Sequence, residues 1–77
     1  MSNLIDDPII NMRVERFKHI KSQIVHILSR IEVNALTISQ INRAYCYLDN
    51  EIETSHLDGL LDDSQEYTLS TLLSKLL

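Results

Sequence analysis

Residues 8–33, PIINMRVERFKHIKSQIVHILSRIEV, decide the fold of this 77-residue chain. The large apolar side chains recur at alternating intervals of four and three residues if Lys21 is counted as one position of the series. They are Ile10, Val14, Phe17, Ile24, Leu28 and Ile31, with Ile20 and Ile27 along one edge. This period predicts a helix over 8–33 that buries one side against other helices. At about 1.5 Å per residue it would be roughly 35–40 Å long.

Lys21 interrupts the apolar stripe and allows two interpretations. A single polar residue at a helix–helix interface can fix the register or the oligomeric state at some cost in stability. In the simpler interpretation, which we favour, the helix rotates slightly and Ile20 takes the inward place.

The ends of the first helix carry start and stop signals. Asp7 can accept hydrogen bonds from free N–H groups, and Pro8 follows at the position where a missing N–H is harmless. Asn34 tolerates the left-handed conformation that often follows a helix. The sequence therefore predicts that the first helix begins at Pro8 and ends near Val33.

A second helix is predicted over residues 38–57. Thr37 and Gln40 have the spacing of a capping box, and Leu36 and Ile41 that of a hydrophobic staple. The apolar stripe that follows has the same period as the first and consists of Ile38, Ile41, Tyr45, Leu48 and Ile52. Because the link is short, we expect the two helices to be antiparallel neighbours.

A shorter third helix is predicted over residues 64–76. Gly59, the only glycine, is a natural residue for the end of helix two. Asp62, Asp63 and Ser64 are candidate N-caps, and Asp63 and Glu66 have the spacing of a second capping box. Leu69, Leu72, Leu73 and Leu76 give this segment an apolar face that must pack on the same chain or on another.

The predicted fold is all-α: one domain over residues 1–77, with a long antiparallel helical hairpin and a shorter third helix. A chain of this size buries only about 60% of its unfolded surface, so its own core supports marginal stability. The single Cys46 cannot form an internal disulfide. Self-association or a protein partner is therefore the expected source of further stabilisation.

Composition and charge limit the setting in which the chain acts. One cysteine, no basic amino-terminal region and no long apolar run favour a cytoplasmic protein without a membrane span. The formal net charge is −4, but residues 8–33 carry +3 and residues 34–77 carry −5. This asymmetry favours antiparallel packing of the helices or head-to-tail association of two chains. The negative net charge of the whole chain disfavours non-specific binding to nucleic acid.

No residues have the spacing of a catalytic or metal site. His19 and His26 are seven residues apart, whereas helical metal ligands prefer a separation of four. His56 is expected at a helix end near Asp58, and Cys46 is expected to be a small packing residue beside the stripe. We therefore predict no enzyme activity, no metal, no cofactor and no small-molecule substrate.

Two surfaces are candidates for binding. Tyr47 points away from the stripe of helix two and could anchor a partner close to Arg43, since tyrosine and arginine are enriched at binding hot spots. The partner-binding residues we expect are Tyr47, Leu69, Leu72, Leu73 and Leu76. The other candidate is the basic cluster of Arg13, Arg16, Lys18 and Lys21, which could pair with acidic residues of helix two or contact phosphates.

These features favour a small non-enzymatic protein–protein interaction module, such as a regulator, adaptor or small chaperone, that acts through apolar helix faces. The alternative is a dimeric DNA-associated transcriptional regulator that uses the basic half of the first helix. A helix-turn-helix interpretation of residues 37–43 fits poorly, because the preceding helix is too long and the turn lacks glycine.

Overall fold

The computed structural model describes residues 8–77, with side chains from Asn11 onward, and it confirms the all-α fold. Within that range the chain forms three α-helices and no strand. The helices are α1 (Pro8–Glu32), α2 (Ile38–Leu57) and α3 (Asp63–Leu73), followed by a 3₁₀ turn (Ser74–Leu76). The predicted cap at Asp7 and the side chain of Ile10 lie outside the described residues.

The loop between α1 and α2 is held by local hydrogen bonds. Asn34 has a φ of 57°, the left-handed conformation expected of it. The backbone N–H of Ala35 donates to the Arg30 carbonyl at 2.8 Å, which closes the end of α1. The capping box then starts α2: the Gln40 N–H donates to the Thr37 hydroxyl at 3.1 Å, and the Thr37 N–H donates to the Gln40 side chain at 2.9 Å.

The loop between α2 and α3 corrects one sequence-based expectation. Gly59 ends α2 as predicted, with a φ of 76°. The capping box, however, consists of Asp62 and Gln65 rather than Asp63 and Glu66. The Gln65 N–H donates to the Asp62 carboxylate at 2.7 Å, so α3 begins one residue earlier than expected. The carboxylate of Asp63 is thereby left available for a contact with α2.

The core lies along the meeting line of the three helices. Its buried apolar residues are Ile20, Ile24, Leu48, Ile52, Leu61, Leu69, Leu73 and Leu76. Ile20 is fully buried while Lys21 is exposed, so the stripe of α1 is rotated in the way we favoured. Val14 and Ile38 were assigned to the stripes but are 41% and 79% exposed. Ile38 is the first residue of α2, next to the loop. At Val14 the inward place on α1 is taken by the half-buried Arg13, one residue earlier.

The two long helices are antiparallel, and one ion pair shows their register. The Arg16 guanidinium lies 3.3 Å from the Glu51 carboxylate. The expected pairing of Lys18 and Lys21 with α2 is not seen among the described side chains. Lys18 and Lys21 are exposed, and Arg16 makes the contact because it lies nearer to the edge that faces α2.

His56 connects the end of α2 to the start of α3. Its Nε2 atom is 2.7 Å from an oxygen of Asp63, and its Nδ1 atom is 3.3 Å from an oxygen of Glu66. Both ring nitrogens therefore face carboxylates, an arrangement that suits the doubly protonated imidazolium. The hydrogen bond to Asp63 is the main cause of a raised pKa of His56. Desolvation, the next largest effect, lowers this pKa, and the charge of Glu66 raises it again.

Removing the cap of α3 should lower stability. We expect Asp62→Ala to reduce the free energy of unfolding by about 1 kcal/mol, because the Gln65 N–H loses its acceptor. Urea denaturation measures this loss. The control is Asp62→Asn, which keeps a side-chain acceptor and should lose much less. Equal losses in the two variants would contradict the assigned cap.

The stability of the chain should depend on the protonation of His56. Because its pKa is raised above 6.5 in the folded state, the stabilisation is complete below pH 6.5 and is lost as pH rises through the folded value. Relative to His56→Gln, the native chain should therefore be more stable at pH 6 than at pH 8. Denaturant titrations at both pH values test this. Asp63→Asn should weaken the pH dependence, and identical profiles for the native chain and His56→Gln would refute it.

Candidate functional site

A groove runs between α1 and α2 and has a volume of about 410 Å³. Ile27, Ala44 and Leu48 line its floor, and Ser22, Gln23 and His26 line its rim on α1. Tyr47 forms the opposite wall. We call this set of seven residues the hairpin groove.

The hairpin groove faces away from α3. Tyr47 and His56 are nine residues apart on α2, which at 100° per residue places them on opposite sides of the helix. Because His56 contacts α3, Tyr47 and the groove lie on the other side of the hairpin. Neither the chain's third helix nor its core therefore covers this surface.

Ala44 is the reason that the groove exists. It lies one turn before Leu48 on the inner edge of α2, where a larger side chain would fill the space beside Ile27. The floor is consequently apolar but only partly covered, with Leu48 1% exposed beneath it and Ile27 half-buried. Tyr47 is 57% exposed beside this floor. An exposed aromatic ring beside an uncovered apolar floor is typical of the centre of a protein interface.

A second depression lies further along the same side of the hairpin. Met12, Glu15, Arg16, His19 and Leu60 line it. Arg16, on its border, is the residue that pairs with Glu51. Along α1, Arg16 lies within this second depression, between Met12 and His19, and the hairpin groove begins beyond it at Ser22.

The structure places the predicted partner-binding residues in two different environments. Tyr47 is exposed, as a partner contact requires. Leu69, Leu73 and Leu76 are instead buried in the core of their own chain, with at most 6% of each residue exposed, and Leu72 is half-buried against it. We correct our expectation for these leucines, since α3 folds back on the hairpin and uses its apolar face there. Only Tyr47 is retained in the site.

The basic cluster is dispersed by the folding of α1. Arg13 is half-buried, and its Nε atom is buried without a hydrogen-bond partner. Arg16 is engaged with Glu51. Lys18 and Lys21 are the members of the cluster that remain exposed on the surface. Two exposed lysines are a weaker basis for contacts to a phosphate backbone than the four-residue cluster suggested by the sequence.

The remaining candidate residues, His26 and Cys46, are both exposed. Over residues 8–77, no group of three or more histidine, cysteine, aspartate or glutamate side chains is placed to hold a metal ion. Cys46 was expected to pack beside the stripe but is exposed, because it points away from both neighbouring helices. His26 is exposed on the rim of the hairpin groove, where it can donate a hydrogen bond to an occupant.

The sequence predicted Tyr47 as a binding residue, but it did not predict that Ile27, Ala44 and Leu48 form the floor of a groove beside it. Tyr47 was identified because it is an aromatic residue that points away from the stripe. Ala44 carried a signal that we did not use: it is a small residue on the inner face of α2, which also carries the buried Ser55 among larger side chains. Ser22 and Gln23 could not be assigned to a binding site from the sequence, because a polar residue at the rim of a groove has the same sequence pattern as any other exposed polar residue.

Comparison with protein families, with curated proteins and with solved structures gave no match to this chain. Among α1, α2 and α3, none is both long and apolar enough to cross a lipid bilayer.

Replacing the inward arginine should stabilise the fold. We expect Arg13→Met to raise the free energy of unfolding by about 1 kcal/mol, because an apolar side chain of similar length removes a buried donor that lacks a partner. Lys18→Met is the control on the exposed side of α1 and should change stability by less than about 0.5 kcal/mol. A loss of stability in Arg13→Met would show that the guanidinium makes a favourable contact.

Proposed function

We propose that this chain is a small, non-enzymatic protein-interaction module that binds a protein partner through the hairpin groove. The observation that carries the proposal is an apolar floor left uncovered beside an exposed tyrosine, on the side of the hairpin opposite α3. A regulator, adaptor or small chaperone would each act through such a surface.

The form of the groove favours an elongated occupant. It follows the line between two antiparallel helices, so an amphipathic helix laid along it can insert apolar side chains over Ile27 and Ala44. Its volume lies within the range of roughly 300–1,000 Å³ that is usual for ligand-binding sites. The rim of Ser22, Gln23 and His26 offers hydrogen bonds to the polar edge of that helix.

Charge near the groove favours an acidic partner. Arg30 lies one turn beyond His26 on α1, and Arg43 lies one turn before Tyr47 on α2. Both arginines are exposed, and the spacing of four residues places each on the same helix face as its neighbour in the groove, although Arg43 also lines a depression on the outer face of α2. We therefore propose an amphipathic segment with apolar residues on one face and acidic residues at its edge.

The alternative of a DNA-associated regulator receives less support from the geometry. Arg13 and Arg16, which it would use, are directed into the protein and toward Glu51. We also propose that the interaction module acts in the cytoplasm, because a single exposed cysteine remains reduced there.

Photochemical capture from cells that express the chain tests the groove. Tyr47→benzoylphenylalanine carries a photoreactive group on the groove wall and should form a covalent adduct with one partner on irradiation. The matched control is Tyr67→benzoylphenylalanine. Tyr67 is a tyrosine of α3 that is 73% exposed, and it should not capture that partner. Mass spectrometry identifies the adduct.

Filling the groove should then abolish the capture. Ala44→Leu adds three carbon atoms over the floor and removes none from the core, so we expect at least a tenfold loss of adduct with little change in the circular dichroism spectrum. Equal capture at both tyrosines, or undiminished capture by Ala44→Leu, would show that the groove is not the binding site.

A further inference from the structure

Charged residues flank the hairpin groove at both of its ends, and the two ends differ in sign. On α1 the rim of the groove belongs to a row of side chains at steps of three or four residues, which places them on one face of the helix. The row consists of Glu15, His19, Ser22, His26 and Arg30. On α2 the row through the opposite wall, at steps of four, consists of Arg43, Tyr47 and Glu51. Each row therefore passes the groove with a glutamate at one end and an arginine at the other.

The antiparallel course of the two helices brings the like ends of these rows together. Arg30 and Arg43 both lie toward the loop that joins α1 to α2, and we call this the loop end of the groove. Glu15 and Glu51 both lie toward the other end of the hairpin, which we call the far end. Arg16 pairs with Glu51 at 3.3 Å, so Glu15, Arg16 and Glu51 together carry a net charge of −1. The groove is therefore positive at its loop end and negative at its far end.

The charges at the two ends are accessible to a bound molecule. Glu15, Arg30 and Arg43 are all exposed. Arg43 stands on the outer border of the groove, since it also lines the depression on the outer face of α2. From Glu15 to Arg30 the helix rises about 22 Å, which is the length of about four helical turns. A partner helix of that length laid in the groove would reach both charged ends.

We propose that the hairpin groove binds a helix of another protein whose two ends carry opposite charges, with the acidic end at the loop end of the groove and the basic end at the far end. This inference rests on the proposed function and defines its partner more closely. A uniformly acidic helix would gain contacts at the loop end but would bring like charges together at the far end. A helix placed the other way round would bring like charges together at both ends.

Charge in this arrangement selects the partner and its placement more than it adds affinity. The residues concerned are exposed, and one exposed ion pair contributes at most about a fivefold change in affinity. The floor of Ile27, Ala44 and Leu48 supplies the contact that does not depend on charge. Salt should therefore remove the preference for opposite end charges while leaving the apolar part of the binding.

Three synthetic peptides of identical composition test the proposal. Each has 15 residues, with leucines at helical spacing, three glutamates and three lysines. In the first peptide the glutamates lie in the first turn and the lysines in the last, in the second this order is exchanged, and in the third both types are mixed at both ends. Fluorescence anisotropy gives the dissociation constants. At low salt the better of the first two should bind about threefold to tenfold more tightly than the mixed peptide, and at roughly 0.5 M NaCl the difference should vanish.

A reversal of charge in the protein tests which end is which. Arg30→Glu should remove the preference for the better peptide, because the acidic end of that peptide then meets a carboxylate. The matched control is Lys18→Glu, which makes the same change of charge at an exposed residue of α1. Lys18 lies eight residues before His26 and about 80° away around the helix, so the preference should persist in this control. Circular dichroism confirms that each variant folds.

The outcomes distinguish this inference from the proposed function. Equal binding of the three peptides that is abolished by Ala44→Leu would retain the groove as a binding site and overturn the opposite end charges. Absence of binding by all three peptides also overturns the inference, while capture at Tyr47 tests the function independently of these peptides. Equal effects of Arg30→Glu and Lys18→Glu overturn the inference as well. Undiminished peptide binding by Ala44→Leu would place the peptides outside the groove and overturn both proposals.

Discussion

The burial of Ile20 and Ile24 between α2 and α3 is the contact on which the rest of the structure depends. Both residues are fully buried, and they meet Leu48 and Ile52 of α2. Each large apolar side chain removed from water contributes about 1.5–3 kcal/mol, so four such residues supply much of what holds a chain of this size together. Helix α3 completes their enclosure. It is therefore part of the core and not an independent arm.

This enclosure explains which parts of the fold could be predicted from the sequence. Local hydrogen-bond chemistry determined the helix starts, and Thr37 with Gln40 was identified because the capping box depends only on residues three positions apart. Asp62, Asp63 and Ser64 were all candidate caps for α3, and the capping box was placed one residue too late because three consecutive polar residues can each serve as a cap. The observed cap is the one that leaves Asp63 free to meet His56.

The surface was harder to predict, because it depends on the lengths and rotations of the helices relative to one another. A leucine-rich α3 is consistent with packing on its own chain or on a partner, and periodicity does not distinguish the two. Arg13 lies seven residues before Ile20 and therefore on the same face of α1. The rotation of α1 that buries Ile20 also turns Arg13 inward, which its charge alone would not predict. The hairpin groove depends on the pairing of Ala44 with Ile27, which is a matter of register between helices.

The capping box at Thr37 has an effect beyond the stability of its own helix. Successive side chains turn by 100° around a helix axis, so the residue at which α2 begins sets the direction in which all later residues point. Two polar hydrogen bonds in the loop therefore fix the angular phase of α2. They direct Ile41, Leu48 and Ile52 toward the core. The solvent-facing pattern of the hairpin is in this sense determined by one threonine and one glutamine.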